Sequence, residues 1–427
     1  MFLFALIACS PDPGIHADAV TSPVDLPYNG SLEKQGDRSV LYLWGSRDEI
    51  GYAEGALTCD QVGPLFKYYL LEELVGQHSD YEYEVARGFV LGSVTFDEAD
   101  LREITGFWEG ANDWCTEEQL TVESEMFPNG PHRLDLEDLK FANAVADFGC
   151  TSFTVWGDAS ATGETLAGRN FDWAIDPEGT FIEDHMLKVY DSTEDGARFA
   201  SVMVPAMTGC VSCLTDEGLL LTMHNASGLT ADDTLGISPR MLSARAALVA
   251  TVGAEDPVAA ADAVLDSRRQ LTGNNLHLAM PMDRGGGVGG VVFEVDGSGI
   301  NPDGQSTVRS AGEDTQEPRT DVTLAANHYA KRRVDLGDDD SNGRIASLAA
   351  AIDLGPVSVE DAHGLLESVE NGYDGVTAHS VIWDVSTREL TLYVAPNYDT
   401  PALDAVPTVF DMDQVFGHLS DLAGDAQ

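Results

Sequence analysis

Residues 149–173 read GCTSFTVWGDASATGETLAGRNFDW. Two runs rich in β-branched and aromatic residues flank the turn Ala161-Thr162-Gly163, the pattern of a β-hairpin. The hairpin opens on Gly149-Cys150. Glycine tolerates the strained backbone needed for a neighbouring side chain to attack its carbonyl. Attack by the Cys150 sulfur on the Gly149 carbonyl gives a thioester through an N-to-S shift, and hydrolysis frees Cys150 as a new N-terminus. That α-amine has an ordinary pKa of ~8, close to ~8.5 for the thiol, and it lies within reach of its own sulfur as a base. The return strand ends in Arg169-Asn170-Phe171-Asp172-Trp173. Arg169 and Asp172 are an odd number of positions apart, so a flat strand points them to different faces. A bend or bulge is required to bring both to one thiol.

Outward from the hairpin, helical and strand patterns alternate without internal repeats. Residues 52–75 are helical in period, with an interruption at Gly63-Pro64, and 134–147 form a second helix candidate. After Cys150, strands are expected at 152–156, 186–190, 199–204 and 219–223, followed by helices at 241–252 and 257–268. Strands resume at 276–280, 290–295 and 323–326, helices follow at 343–352 and 359–369, and a hairpin of 380–384 and 389–394 closes the chain. Residues 303–321 are polar and read as a surface loop. Sheet, helices, sheet, helices, sheet predicts an α+β fold of layered, mostly antiparallel sheets.

The chain has 427 residues, 43% of them hydrophobic, enough for a large core, and its length alone suggests two or three domains. Against 72 acidic residues stand 23 basic ones, a net charge of −49. Such a surface repels phosphate backbones and anionic lipid heads, which excludes nucleic acid as a partner and leaves a membrane only through a lipid anchor. The first nine residues, MFLFALIAC, supply that anchor in outline. Leu6-Ile7-Ala8-Cys9 fits a bacterial lipobox, with Cys9 the lipidated residue and a polar tether behind it. The apolar stretch is short and no charged residue precedes it, as a start codon placed too far downstream would explain. The expectation is an exported lipoprotein at a membrane surface or outside the cell, with 1–33 as signal and tether. Of the other cysteines, Cys210-Val-Ser-Cys213 has no second pair to make a zinc site and reads as a local disulfide, Cys59 and Cys115 are candidates for a second bridge, and Cys150 is left over. Two literal motifs are set aside. Gly285-x-Gly287-x-x-Gly290 precedes a strand rather than opening a helix, and Asp338-x-Asp340-x-Asn342-Gly343 has Ala349 where a calcium loop needs its closing carboxylate.

The segment from Cys150 to Trp173 resembles the N-terminal-nucleophile cysteine hydrolases: choloylglycine hydrolases, penicillin V acylases, acid ceramidase-like amidases and, most closely, the penicillin acyltransferase-like peptidases. Their nucleophile strand begins Cys-Thr and returns through a hairpin as Gly-Arg-Asn-Leu-Asp-Trp. Here Cys150-Thr151 and Gly168-Arg169-Asn170-Phe171-Asp172-Trp173 match, with Phe171 for Leu. Gly45 and Gly51-Tyr52-Ala53-Glu54-Gly55 resemble the helical segment that precedes the nucleophile in the acyltransferase-like branch. Asn225 matches the strand-end asparagine of the family, Asn327 in Ala326-Asn327-His328-Tyr329 a second positioning amide, and Arg344 in Gly343-Arg344-Ile345 a later arginine, with Arg332 and Arg333 as competitors for that place.

The resemblance implies a single four-layer αββα sandwich, with 34–149 a mostly helical segment and 150–427 the nucleophile segment of the same domain. It implies self-cleavage at Gly149–Cys150, two chains that stay associated, and hydrolysis of a linear N-acyl amide through a thioester on Cys150. Asp172 would orient the freed amine, Arg169 would lower the thiol pKa, and the Asn225 amide would stabilise the oxyanion. No metal or organic cofactor is required. Two alternatives stay open on the sequence: an acyltransferase that passes the acyl group to an amine, and a non-catalytic, acidic, cation-binding surface lipoprotein.

Overall fold

The computed structural model describes residues 28–76, 83–127, 129–144, 149–226, 235–297, 305–332, 339–370 and 376–425. Its strands are β1 (Gly30–Gln35), β2 (Arg38–Gly45), β3 (Thr121–Val122), β4 (His132–Arg133), β5 (Gly149–Val155), β6 (Leu166–Trp173), β7 (Met186–Ser192), β8 (Ala197–Met203), β9 (Ser212–Thr215), β10 (Leu220–Ala226), β11 (Gly273–Ala279), β12 (Gly290–Val295), β13 (Ser306–Ser310), β14 (Val322–Ala325), β15 (Val376–Asp384), β16 (Glu389–Val394) and β17 (Thr408–Asp411). Its helices are α1 (Arg47–Pro64), α2 (Leu65–Val75), α3 (Tyr83–Ser93), α4 (Glu98–Trp114), α5 (Leu136–Ala144), α6 (Thr180–Glu183), α7 (Arg240–Thr251), α8 (Pro257–Ser267), α9 (Asp339–Ile352), α10 (Val359–Glu367) and α11 (Met412–Asp425).

Almost every position of β6, β8, β11 and β12 is buried. A strand with one wet face alternates; these do not, so both faces of their sheets are covered. Nine strands run β1-β2-β7-β8-β9-β10-β11-β12-β13, and six run β14-β5-β6-β15-β16-β17. Among the described ladders only β2–β7 is parallel. The inner faces meet in one core, where Phe171, Val381 and Trp383 of the smaller sheet join Val189, Met223 and Leu276 of the larger. Outside, α1, α7 and α8 pack on the larger sheet and α9 and α10 on the smaller, while α11 touches both. The result is a four-layer αββα sandwich.

Two helices from before the hairpin are pressed together without side chains between them. A Cβ added at Gly51 or Gly55 would stand 2.0 or 2.1 Å from the carbonyl oxygen of Glu103 or Phe107 in α4. One added at Gly106 or Gly110 would stand 2.4 or 2.1 Å from that of Asp48 or Tyr52 in α1. Glycine at these four positions is what lets the backbones approach. Further along the same line Cys59 and Cys115 are joined by a disulfide. The pair is tied to the sandwich by buried charges: Glu103 meets Arg245 at 2.7 Å and Glu54 meets Lys188 at 3.0 Å, each joining a residue before Cys150 to one after it.

The structure corrects several expectations. The chain does not break at Gly63-Pro64; it continues as the π-helical α2, whose wider winding accommodates a proline that supplies no N–H. Within the mostly helical span 34–149, β2 is an inner strand of the larger sheet, and the sheet already begins at Gly30, inside the 1–33 tether. Polar 303–321 contains the edge strand β13, and β17 and α11 follow the hairpin expected to close the fold. Helix α4 escaped notice because Gly106 and Gly110 count against a helix on propensity. Residues 1–27, Cys9 among them, lie outside the described residues. Among the described residues no helix is long and apolar enough to cross a membrane.

Candidate active site

Strand register assembles the site. Gly149 lies opposite Asp172, Cys150 opposite Phe171 and Ser152 opposite Arg169 on β6. On the other side Ala325 pairs with Ser152, so Asn327, just past β14, falls beside Cys150. β10 reaches Asn225 at the same end of the sandwich, and α9 brings Arg344 over it.

The Cys150 thiol is fully buried and free of any disulfide. Its sulfur accepts a hydrogen bond from Arg169 Nη2 at 2.7 Å. Arg169, also fully buried, donates as well to the Met223 carbonyl (3.0 Å), to Ser212 Oγ and to His379 Nε2 (3.2 Å), and it lies over the Phe171 ring at 4.7 Å. The main chain of Cys150 is held separately. Its N–H donates to Asn327 Oδ1 at 3.2 Å, and its carbonyl accepts from Arg344 Nη1 at 3.0 Å. Arg344 Nη2 also donates to Asn327 Oδ1 (2.7 Å), and Asn327 Nδ2 donates to the Asn225 carbonyl (2.5 Å). Arg240 donates to Asn225 Oδ1 at 2.9 Å, which leaves the NH₂ of Asn225 as its donating end.

Arg169 and Asp172 act on the thiol differently: Arg169 hydrogen-bonds the sulfur, while the Asp172 carboxylate opposes its ionisation through its charge. Arg169 reaches into the interior between the sheets, and Asp172 stays on the helix-covered face with Asn170, as strand alternation requires. The irregularity in this part of the sheet lies on β15, between Thr377 and His379, not on β6. Thr377 Oγ1 donates to Asp172 Oδ1 at 2.6 Å, while Oδ2 is buried without a hydrogen bond, 3.8 Å from Arg344 Nη1. Burial raises the Asp172 carboxyl pKa above the ordinary carboxylate range, partly offset by Arg344 and Thr377. Burial also pushes the Cys150 thiol up, and Arg169, pulling the other way, does not reverse it in the uncut chain.

No imidazole hydrogen-bonds the thiol among the described residues. His224 Nε2 meets Ser152 Oγ (2.9 Å) and Thr222 Oγ1 (3.0 Å), and His328 Nδ1 meets Ser341 Oγ (2.7 Å). Arg332, the rival to Arg344, is engaged with Asp296; Arg333 lies outside the described residues. Cys210 and Cys213 are bonded, and Ser212 between them is the residue that touches Arg169 and His379. The one described group spaced for a metal is His132, Asp135 and Asp138, but Arg87 and Tyr83 already bond Asp138. Asp340 and Gly343 of the calcium-like run lie within α9. Beside Arg240 opens a cavity of about 150 Å³, lined by Phe89, Val90, Val94, Ile237 and Leu271.

Ser212, Thr377, Arg240, His379 and His185 were not legible as site residues. Their only signal is polarity inside otherwise buried strands and helices, and nothing in spacing links them to Cys150.

Neither a protein-family model nor a curated protein matches the chain. Among solved structures it is similar to a Caenorhabditis elegans ortholog of N-acylethanolamine-hydrolyzing acid amidase (TM-score 0.38, 13% identity, 55% of this chain and 92% of that one). It is also similar to a variant of conjugated bile acid hydrolase from Clostridium perfringens (TM-score 0.37, 10% identity, 62% and 93%). A third is penicillin V acylase from Agrobacterium tumefaciens (TM-score 0.37, 13% identity, 61% and 85%).

Proposed function

We propose that this chain is an autoprocessed cysteine amidase that hydrolyses a linear N-acyl amide through a thioester on Cys150. One observation carries the reading: the two reactive ends of a single residue are held by different partners, the sulfur by Arg169 and the main-chain N–H by Asn327, whose acceptor oxygen Arg344 in turn holds. A structural cysteine needs neither. In the first step sulfur attacks the Gly149 carbonyl, the Gly149–Cys150 C–N bond breaks, and water resolves the thioester, leaving a carboxylate on Gly149 and an amine on Cys150.

The freed amine then takes the thiol proton, and the guanidinium of Arg169 stabilises the thiolate that results. Asn327 Oδ1 stays as an acceptor for the amine, kept in place by Arg344. The unbonded oxygen of Asp172, opposite the position that Gly149 vacates, becomes a second acceptor. Sulfur attacks the substrate carbonyl, the Asn225 NH₂ faces the developing O⁻, the amine leaves with a proton from the Cys150 ammonium, and water releases the acid. Two disulfides favour an oxidising compartment, in keeping with export and a lipid on Cys9.

Intact-mass measurement tests the reading. A chain beginning at Cys9 should yield pieces 9–149 and 150–427 that purify together, and Cys150→Ala should remain one chain without amidase activity. A wild-type protein that stays whole while hydrolysing amides overturns the autoprocessing step. Acyl transfer to an added amine in place of hydrolysis selects the transferase. Membrane fractionation with Cys9→Ser tests the anchor, and a protein found in the cytoplasm with reduced cysteines would contradict export.

A further inference from the structure

Arg169 is a buried cation, and among the described residues no carboxylate forms an ion pair with it. Its acceptors are the Cys150 sulfur, the Met223 carbonyl, Ser212 Oγ and His379 Nε2. Behind it runs a line of contacts that leads away from the thiol. His379 Nδ1 lies 3.1 Å from His185 Nε2, and His185 Nδ1 lies 2.6 Å from the Phe181 carbonyl oxygen. Both rings are fully buried, and Phe171 stacks on His379 at 4.7 Å between ring centroids.

The ends of this line fix every hydrogen in it. A guanidinium only donates and a carbonyl only accepts. His379 Nε2 must therefore be bare to receive Arg169 and the hydroxyl of Ser212, which accepts from Arg169 and donates on at 2.9 Å, so the ring's own proton sits on Nδ1 and points at His185. His185 Nε2 must then be bare, and its proton sits on Nδ1 and points at Phe181. Each ring is neutral, and protonating either would set an N–H against an N–H or against a guanidinium. We propose that His379 and His185 are positioning residues for the nucleophile: a neutral two-imidazole relay that holds the Arg169 guanidinium against the Cys150 sulfur without neutralising it.

The choice of acceptor matters. A carboxylate in the place of His379 would hold Arg169 equally well but would cancel the field that the thiolate needs. A neutral imidazole supplies the hydrogen bond and leaves the charge uncompensated. Burial keeps both rings from protonating: His185 is lowered to about 4 and His379 well below the ordinary histidine value, with Arg169 adding to both and Arg38 to His185. The other charged groups facing the thiol are Asp172, which opposes ionisation, and Arg344 behind Asn327. The inference rests on the amidase reading for its consequence but not for its geometry, and two measurements keep them apart.

The first is ¹⁵N NMR of histidine-labelled, full-length Cys150→Ala, which needs no catalysis. Signals assigned through His379→Gln and His185→Gln should show both rings as neutral Nδ1–H tautomers at pH 7 and still neutral at pH 5. An Nε2–H tautomer or an imidazolium at either position overturns the relay whatever the enzyme does. The second is the pH profile of self-cleavage of the wild-type precursor made by in vitro translation, compared with His379→Leu and His379→Gln. The Leu variant should process and turn over roughly 10–100-fold more slowly, the scale seen when a residue that orients an active side chain loses its partner. Its acid limb should move to higher pH, and Gln, which can still accept from Arg169, should restore most of the rate. Slowing with an unmoved profile, or no rescue by Gln, makes His379 merely structural and overturns the inference. If His379→Leu does not fold, His185→Leu takes its place with the same expected shift in smaller measure. A wild-type precursor that neither cleaves itself nor hydrolyses amides overturns the amidase reading, while the tautomers still decide the relay.

Discussion

Along α1 and α4 two helices meet backbone to backbone, at four glycines, with a disulfide further along the line. Between β5, β6, β9, β10, β11 and β15 the contact is made instead by buried hydrogen-bonding side chains: Arg169, Ser212, Ser152, His224, His277, His379. Both regions are closely packed. At its four glycines the helix pair leaves no room for a side chain. The polar cluster set within the apolar core between the sheets consists of hydrogen-bonding side chains, each with a direction, and its stability depends on protonation states as well as on shape. Stability in the first is steric; in the second it is electrostatic, and there it is shared with chemistry.

The comparison breaks most easily on the helical side. Gly55→Leu places a side chain where even a Cβ stands 2.1 Å from the Phe107 carbonyl oxygen. The cost should be ~3 kcal/mol or more, seen as loss of soluble protein or a collapsed melting temperature. Next, replacing Cys59 and Cys115 together with Ser opens a loop spanning 56 positions, a loss of about 4 kcal/mol at most on the chain-entropy account. The same change at Cys210 and Cys213, three positions apart, should cost less in melting temperature. On the polar side, Asn225→Ala should leave the fold intact and lower kcat by ~10²–10³, the scale for one lost oxyanion donor; a loss of self-cleavage equal to that of turnover would place Asn225 in processing too.

A smaller effect is graded by pH. The folded-state pKa of His185, about 4, is below the ~6.5 of an unfolded histidine. Its contribution is therefore complete above ~6.5 and is lost as pH falls through the folded value, on the order of 3 kcal/mol. Carboxyls raised by burial, such as Asp172, act in the opposite sense, so the test is a difference: unfolding free energy should fall less between pH 7 and 4 in His185→Gln than in the wild type. Smallest of all, Lys140→Ala removes an exposed i,i+3 pair with Glu137, 2.7 Å apart, and should change stability by no more than ~0.5 kcal/mol.

What the sequence could reveal divides along the same line. Cys150, Arg169 and Asp172 stand in one short run, but the bend or bulge expected to bring the last two to the thiol is absent from β6; the irregularity lies on β15. Asn225 and Asn327 were singled out by the family resemblance, not by periodicity or spacing, and lie at or just past the ends of β10 and β14. The layered α+β order followed from periodicity. His379 and His185 are separated from Arg169 and from each other in sequence, and each looks like an ordinary polar residue among apolar neighbours; only the pairing of β6 with β15 and the stacking of two sheets bring them together. The four helix glycines carried a signal of the opposite kind. Propensity counts them against a helix, and only a second helix pressed on the first shows why they are there.

If the chain cuts itself at Gly149–Cys150 as proposed, strand β2 carries a consequence for the lifetime of the product. It comes from before Cys150, yet it pairs along its whole length with β7 from after it, Ser39 with Met186 through Gly45 with Ser192. While the chain is continuous, that alignment forms within one molecule. Once Gly149–Cys150 is broken, an unfolded mature protein is two solutes, and the larger piece carries a bare row of N–H and C=O groups on β7 that will take any strand on offer. Refolding then competes with precipitation, and it becomes slower as the solution is diluted. The precursor holds instructions that the product no longer has, so persistence after cleavage rests on how rarely the product opens, a matter of rate rather than equilibrium.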